Sequence, residues 1–546
     1  MSTDILFHSR ESSVVIPPDF PSVSYAQVRQ ALIDGKEIAL LDVREEAPFA
    51  QEHPLWAANF PLSRLELEAW DRIPRRDTPI VIYGHDDSGD LAPKAAHVLR
   101  TLGYSTIGLL EHGLEGWRAA GGELFSDVNV PSKSFGELVE AQRHTPSLSA
   151  QEVQALIHSQ ADVVIVDARR YDEYHTMSIP TATSVPGAEL VLRVQELAPD
   201  PKTQLIVNCA GRTRSIIGTQ SLINAGIPNP VAALRNGTIG WVLAGQTLDH
   251  GATLRHSLKP GPSQEHAKAQ ARHVADRAGV KRIKWEALDR LREQGRTLYC
   301  FDVRTPEEYE AGHLPGFAPA PGGQLVQETD HHAPVRGARI VLSDDDGVRA
   351  CMTASWLAQM GWDVFVLEPV PGAEPYVKDR WQDTIPKPEG IQTVSVDTLL
   401  QWLGTHDDRT QILDFSPSAN YVKAHIPGAW FALRSQLKQA LDKIPVAQRY
   451  VFTCRSGVMA SFAAEQAIAL TDAPVYVLQG GTHVWQAAQQ ALESGESRLA
   501  CPRIDRYRRP YEGTDAPEAA MQAYLDWEFG LVEQLRRDGT HKFKVL

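Results

Sequence analysis

Two cysteines, Cys209 and Cys454, each open a short polar loop directly behind an apolar, β-branched run: LIVNCAGRTRS and YVFTCRSGVMA. A strand that ends in a tight loop and then enters a helix aims the loop's amides at one point at the helix N-terminus, which makes an anion site. A thiol at the first loop position then stands in positive potential, and the expectation is a lowered pKa and a populated thiolate. In the first loop Ala210, Gly211 and Thr213 supply backbone, with Gly211 allowing the curl, and Arg212 and Arg214 add two cations. In the second, Arg455 adds one cation, Gly457 the curl, and Ser456 and Val458 complete the turn. Both patterns read as an anion held beside a sulfur nucleophile. The blander alternative is that each cysteine is a small buried hydrophobe at a strand end.

The surrounding chain repeats itself. An apolar run ending in Asp-x-Arg occurs as IALLDVR at Asp42, VVIVDAR at Asp167 and LYCFDVR at Asp302; a fourth copy, QILDFS, keeps Asp414 and has Ser416 in place of the arginine. From each of these aspartates the first loop residue lies 42 positions on at Gly84, Cys209 and Asp344, and 40 positions on at Cys454. A Gly-plus-Trp segment closes three repeats (Gly113 and Trp117, Gly237 and Trp241, Gly480 and Trp485), and the third has VPGAEP there. A period of this length means whole domains rather than a solenoid.

Within a repeat, capping-box spacings (Ser24 to Gln27, Ser149 to Glu152) precede helical apolar patterns, and short β-branched runs read as strands buried on both faces. Strands alternating with helices predict an α/β fold, each domain a parallel doubly wound sheet flanked by helices. The expected domains are 20–130, 145–258, 275–384 and 391–500, with linkers at 260–263 and 386–388. A tail, 501–546, belongs to no repeat; its aromatic content predicts packing on the body, and it carries no catalytic signal.

Two loops lack the thiol. Repeat one has Gly84 followed by His85, Asp86 and Asp87, and repeat three has Asp344, Asp345 and Asp346. Carboxylates there would repel an incoming anion, so these repeats read as catalytically inactive.

The 546 residues are 43% apolar with a formal net charge of −14, ordinary globular usage that argues against a general nucleic-acid or membrane-surface binder. With no apolar run of membrane-spanning length and no signal-like start, the expected location is cytoplasmic. Five scattered cysteines form neither a disulfide framework nor a metal motif. Cys300 and Cys351 read as buried structural thiols, and Cys501 as an incidental or resolving one. His313 and His425 read as hydrogen-bonders in turns. The adjacent His331 and His332 make only a weak metal hypothesis, and no metal is expected.

The Asp-x-Arg strand, the segments EEYEAGHLPG (307–316) and YVKAHIPGA (421–429), the Cys-led loops and the Gly-plus-Trp ending together resemble the rhodanese-like sulfurtransferases, over about residues 20–500. The chain looks like two tandem enzymes of that family, each with an inactive first domain. The resemblance implies that Cys209 and Cys454 accept a sulfane sulfur as a persulfide and pass it on. Loop residues 210–214 and 455–458 would bind the donor, and Asp167, Arg169 and Asp414 would support the sheet. It further implies a small anionic sulfur donor such as thiosulfate, a thiol or cyanide-like acceptor, no cofactor, no nucleic-acid or membrane partner, and leaves a homo-oligomer open. Repeat four departs in Ser416 and Met459, and repeat two in Met177, Ser178, Ile179, Pro180 and Thr181. Two rivals remain: a non-catalytic sulfur carrier or scaffold, and a cysteine phosphatase of the same fold. The phosphatase loop is Cys-x5-Arg, one residue longer than the Cys-x4-Arg from Cys209 to Arg214.

Overall fold

The computed structural model describes residues 20–86, 89–257, 261, 263–368, 376–404, 409–513 and 515–546. Asp87, part of the 260–263 linker and the VPGAEP segment lie outside the described residues.

Each repeat builds a five-stranded sheet of one topology, all strands parallel. In repeat two the order across the sheet is Thr183–Ser184, Val163–Asp167, Gln204–Asn208, Val231–Leu234, Ser147–Leu148. The central strands are the β-branched runs, and most of their residues are buried because helices cover both faces. Ser24 and Ser149 each form a complete capping box, with Gln27 and Glu152 reaching back to the cap amide at 2.8 and 2.7 Å.

Register places the chemistry. Asp167 stands level with Asn208, Asp302 with Ser343 and Asp414 with Thr453 on the neighbouring central strand. The next residue is the first of the polar loop, so Cys209, Asp344 and Cys454 all stand just beyond the carboxyl edge of a central strand, where ligands of open α/β sheets bind.

The Gly-plus-Trp ending is a short helix with one job repeated three times. Trp117, Trp241 and Trp485 are buried and each donates its indole N–H to a carbonyl six residues on, at Glu123 (2.9 Å), Thr247 (2.8 Å) and Ala491 (2.9 Å).

The repeats do not pack as two pairs in series. One hydrophobic core joins repeats one, two and three, running from Leu65 and Ala69 through Val191 and Leu222 to Leu357 and Met360. Trp356 of repeat three donates to Ser221 Oγ of repeat two at 2.8 Å, and Ile38 and Arg336 exchange backbone hydrogen bonds between repeats one and three. Repeat four has its own cores and meets repeat one through Arg434 on Glu66 (2.7 Å) and Ser435 on Glu45 (2.6 Å).

The tail touches all four repeats. Cys501 is buried in the core of repeat four, and the Ile504 carbonyl accepts from the Ala47 amide of repeat one at 2.9 Å. The helix Glu518–Asp538 lies against the helices Val130–Arg143 and Gly237–Leu243, and the Lys544 amide then donates to Gln359 O of repeat three at 2.7 Å. Lys133, buried and paired with Asp127 at 2.6 Å, sits among the rings of Tyr511, Tyr524 and Trp527 and fixes this helix in place. No described helix is long and apolar enough to cross a membrane.

Candidate active site: two cysteine loops and their filled counterpart

Cys454 ends the strand Arg449–Thr453 and precedes the helix Val458–Ala467. Its Sγ accepts a hydrogen bond from the Gly457 amide at 3.2 Å. Gly457 holds a left-handed backbone (φ 88°), which turns its N–H inward at the helix start. Burial pushes the Cys454 thiol up, and the amides of Ala460, Ser456 and Gly457 pull it back. Arg455 and Ser456 are exposed, and Arg455 forms no ion pair with any described residue.

The loop is tied down from behind. Thr482 and His483, at the start of the Gly481–Ala487 helix, donate their amides to the carbonyls of Cys454 (2.9 Å) and Arg455 (3.0 Å). A Cβ on Gly481 would stand 2.0 Å from the Cys454 carbonyl oxygen. Repeat two is built the same way: Thr238 and Ile239 donate to Cys209 O (2.9 Å) and Ala210 O (3.0 Å), and a Cβ on Gly237 would stand 2.3 Å from Cys209 O. In repeat two the glycine of the Gly-plus-Trp motif, Gly237, permits this contact; in repeat four it is Gly481, one residue beyond the Gly480 of the sequence pattern, while Gly480 faces Val484.

Around Cys209 the structure corrects two expectations. Arg212 and Arg214 are not free to meet a donor. Arg214 makes a bidentate pair with Glu173 (2.7 and 2.9 Å), and Arg212 makes one with Glu137 (2.7 and 2.9 Å), with further contacts to Glu140 and Asn236. They brace the loop against two helices. Nor does the positive potential win at the thiol: Cys209 is 1% exposed, and burial pushes its pKa up against the opposing pull of Arg214 and Ser215. The same correction holds at Cys454. The loop amides do converge, but desolvation of the sulfur outweighs them. Ser215 lies 3.4 Å from Cys209 Sγ. Thr213 is buried with its hydroxyl unpartnered, Ala210 is buried, and Gly211 abuts the tail helix at Tyr524 and Glu528.

Repeat three shows what this loop geometry holds. Asp344, at the cysteine position, accepts from the Gly347 amide at 3.1 Å and from the Ala350 amide at 2.8 Å. These are the third and sixth residues after it, the positions of Gly457 and Ala460 around Cys454. Rather than merely repelling an anion, repeat three supplies its own carboxyl to the cradle. Burial and the neighbouring Asp346 push the Asp344 carboxyl far above its usual range. Arg349, at the place of Arg214, pairs with Glu308 at 2.6 Å, and Glu308 stands where Glu173 stands in repeat two. In repeat one the described residues after Gly84 form a small antiparallel hairpin, His85–Asp86 with Gly89–Asp90.

The Asp-x-Arg pairs lie just outside the loops. Arg169 makes two bonds to Asp167 (2.9 and 2.7 Å) and one to Met177 O (2.6 Å), while Asn208 satisfies the remaining carboxylate position at 2.9 Å. Arg44 and Arg304 repeat this with Glu52 O (2.8 Å) and Gly312 O (2.6 Å). In repeat four Asp414 receives the Ser416 amide at 2.8 Å, its Oδ2 is buried without a partner, and burial pushes the carboxyl up.

The other singled-out groups stand outside the two cysteine loops. Cys300 and Cys351 are pushed up to about 11 and about 12 by burial, and Cys501 Sγ lies 3.9 Å from Gln436 O. His313 and His425 stack on Tyr309 and Tyr421, each with Nδ1 near that tyrosine's carbonyl (2.9 and 2.7 Å). Arg72 depresses His331, burial depresses His332 to about 4, and among the described residues no cluster of three ligating side chains is present.

A family model described as "Rhodanese-like domain" matches residues 24–120, 149–244, 284–369 and 395–488, one match on each sheet. Among solved structures, a thiosulfate sulfurtransferase from Pseudomonas aeruginosa is 62% identical with a TM-score of 0.94, over 96% of this chain and 100% of that one. Two curated relatives match locally. An HTH-type transcriptional regulator of Mycobacterium tuberculosis is 33% identical over 95 residues, 17% of this chain and 41% of that protein. A chaperone SurA of Nitrosococcus oceani is 30% identical over 165 residues, 30% of this chain and 34% of that protein. The chain therefore spans less than half the length of either curated relative.

Proposed function

The chain belongs to the rhodanese-like domain family, and from that premise we propose that it is a sulfurtransferase that moves a sulfane sulfur from thiosulfate or a similar small anionic donor through persulfides on Cys209 and Cys454. One observation carries the reading. The two amides that hold the Asp344 carboxyl in repeat three occupy the same places as the Gly457 and Ala460 amides around Cys454. The loop aims two amide donors at the nucleophile position, donors suited to a thiolate and then to a persulfide.

The thiolate Sγ attacks the outer sulfur of thiosulfate. The new Sγ–S bond forms as the donor S–S bond breaks, and sulfite leaves with the electron pair. The persulfide anion remains in the cradle until an acceptor thiolate or cyanide takes the outer sulfur and returns Sγ as thiolate, a double displacement. Amides fixed from behind by Thr238 and Ile239, or by Thr482 and His483, need no reorganisation as the charge moves outward by one atom. Repeats one and three supply packing rather than nucleophiles.

The test is peptide mass spectrometry after brief exposure to thiosulfate, with thiols and persulfides trapped by alkylation. One added sulfur is expected on the peptides carrying Cys209 and Cys454 and none on Cys300 or Cys351. Cys209→Ser combined with Cys454→Ser should abolish transfer to cyanide while Cys300→Ser leaves it; retained turnover in the double variant rules the assignment out.

A further inference from the structure

The tail reaches the Cys209 loop and places a carboxyl there. Glu528 is 1% exposed. Its Oε1 accepts the Tyr524 hydroxyl at 2.9 Å, and its Oε2 is buried without a partner. That free oxygen lies 3.2 Å from where a Cβ on Gly211 would stand, so a larger residue there would have to push the carboxyl back by a few tenths of an ångström. Phe529, the next residue, stacks on Arg212 at 4.3 Å and seats the helix on the loop from the other side. A buried oxygen aimed at an anion loop and lacking any protein partner marks a place for a ligand atom.

We propose that Glu528, in its protonated form, donates a hydrogen bond from Oε2 to the anion held at the Cys209 loop, and so makes anion capture at this one loop dependent on a proton. The proposal rests on Cys209 being a sulfur-accepting site. The groups facing Glu528 are Glu137 and Lys133 on the helix Val130–Arg143, Arg212 and Cys209 on the loop, and Tyr524 and Tyr511 within the tail. Lys133 and Arg212 are already paired, with Asp127 and Glu137 respectively. Burial first, then Glu137, hold the Glu528 carboxyl up at about 8, so near neutral pH it is largely a neutral donor. An ionised Glu528 would instead set a carboxylate against the incoming donor and push the Cys209 thiol further up. The Cys454 loop is exposed at Arg455 and Ser456, and the helix Glu518–Asp538 packs instead on the helices Val130–Arg143 and Gly237–Leu243.

The experiment uses the full chain with both cysteines intact and reads thiosulfate sulfur on the two cysteine peptides separately between pH 6.5 and 9.5. The parent is compared with Glu528→Gln, which keeps a neutral donor at every pH, and with Glu528→Ala. Uptake at Cys209 in the parent relative to Glu528→Gln should be level below about pH 7 and fall about tenfold per pH unit above about 8.5. The part of the thiolate rise common to both proteins divides out of this ratio, and the further upward push of ionised Glu528 on the Cys209 thiol, present only in the parent, adds to the fall. Glu528→Ala should lower uptake at Cys209 about tenfold at pH 7, and uptake at Cys454, the internal control for folding and donor, should stay unchanged in all three. Superposable pH profiles for parent and Glu528→Gln, with Cys209 labelled in both, overturn the role of Glu528 alone. No sulfur on Cys209 in the parent while Cys454 is labelled overturns the Cys209 site, and this proposal with it.

Discussion

The Asp344 carboxyl accepts the Gly347 amide at 3.1 Å, at the position where a cysteine of this family fold would hold its sulfur. The loop of repeat three is therefore not a decayed site but a filled one. Its amides keep their partner, and the helix Arg349–Gln359 keeps its N-terminal geometry without a nucleophile.

Asp344→Ala should lower stability by about 2–4 kcal/mol, because it strands the Gly347 and Ala350 amides inside the fold. Formate or sulfate at tens of millimolar should restore part of the lost thermal midpoint in this variant and leave the parent unchanged. Thermal unfolding with and without the anion checks this; equal shifts in both proteins would count against a shared cradle.

Gly237→Ala and Gly481→Ala should each disable the loop they back and spare the other. Each glycine has φ near +60° and a carbonyl oxygen 2.0–2.3 Å from where its Cβ would fall. The loop must move or the helix start must tilt, at about 1–3 kcal/mol from strain alone. Sulfur uptake read separately on the Cys209 and Cys454 peptides should show the crossed pattern.

Alkylation at pH 7 should rank the thiols. Cys454, with exposed loop neighbours, should react first and Cys209, beneath the tail, more slowly. Cys351, pushed up to about 12 within a buried helix, should react only on unfolding. Removing residues 514–546 should raise the Cys209 rate towards that of Cys454. Timed iodoacetamide labelling with peptide readout measures all three.

The Asp167–Arg169 pair and the lone Asp414 should respond oppositely to loss of one charged side chain. Arg169→Leu removes one partner of a buried, hydrogen-bonded pair and should cost about 3–5 kcal/mol. Asp414 has already lost that partner. Its folded pKa is raised, so the fold binds the proton more tightly than the unfolded chain. Its contribution is fully present below the ordinary aspartate pKa and is lost as pH rises through the folded value. Asp414→Asn should therefore leave stability unchanged or raise it by about 1 kcal/mol at pH 7, and should remove that acid-side gain. Urea unfolding at pH 4 and 7, with exposure of the Cys454 peptide read by pulsed alkylation, separates the two cases.

What the chain could announce by itself was what is written in short spacings and in the registers of neighbouring strands. The constant offset from Asp to loop is the register of two neighbouring strands, Asp167 level with Asn208 and Asp414 with Thr453. Capping boxes span three residues and the Trp contacts six, so they too are written locally. Both cysteine loops were legible for the same reason. Contacts between elements far apart in the chain, within a repeat or between repeats, were not. Arg212 and Arg214 look like free cations until folding brings Glu137 from 75 positions away and Glu173 from 41. The thiol pKa follows burial, a property of the whole assembly rather than of the loop. Repeat three joins repeats one and two because its helix Arg349–Gln359 has apolar residues on every side, a pattern that says buried but not against what. Glu528 stands in a tail outside every repeat, and only closure of a chain several hundred residues long sets its free oxygen over Gly211. Local periodicity determines the elements and their registers, whereas desolvation and charge pairing depend on which distant surfaces meet.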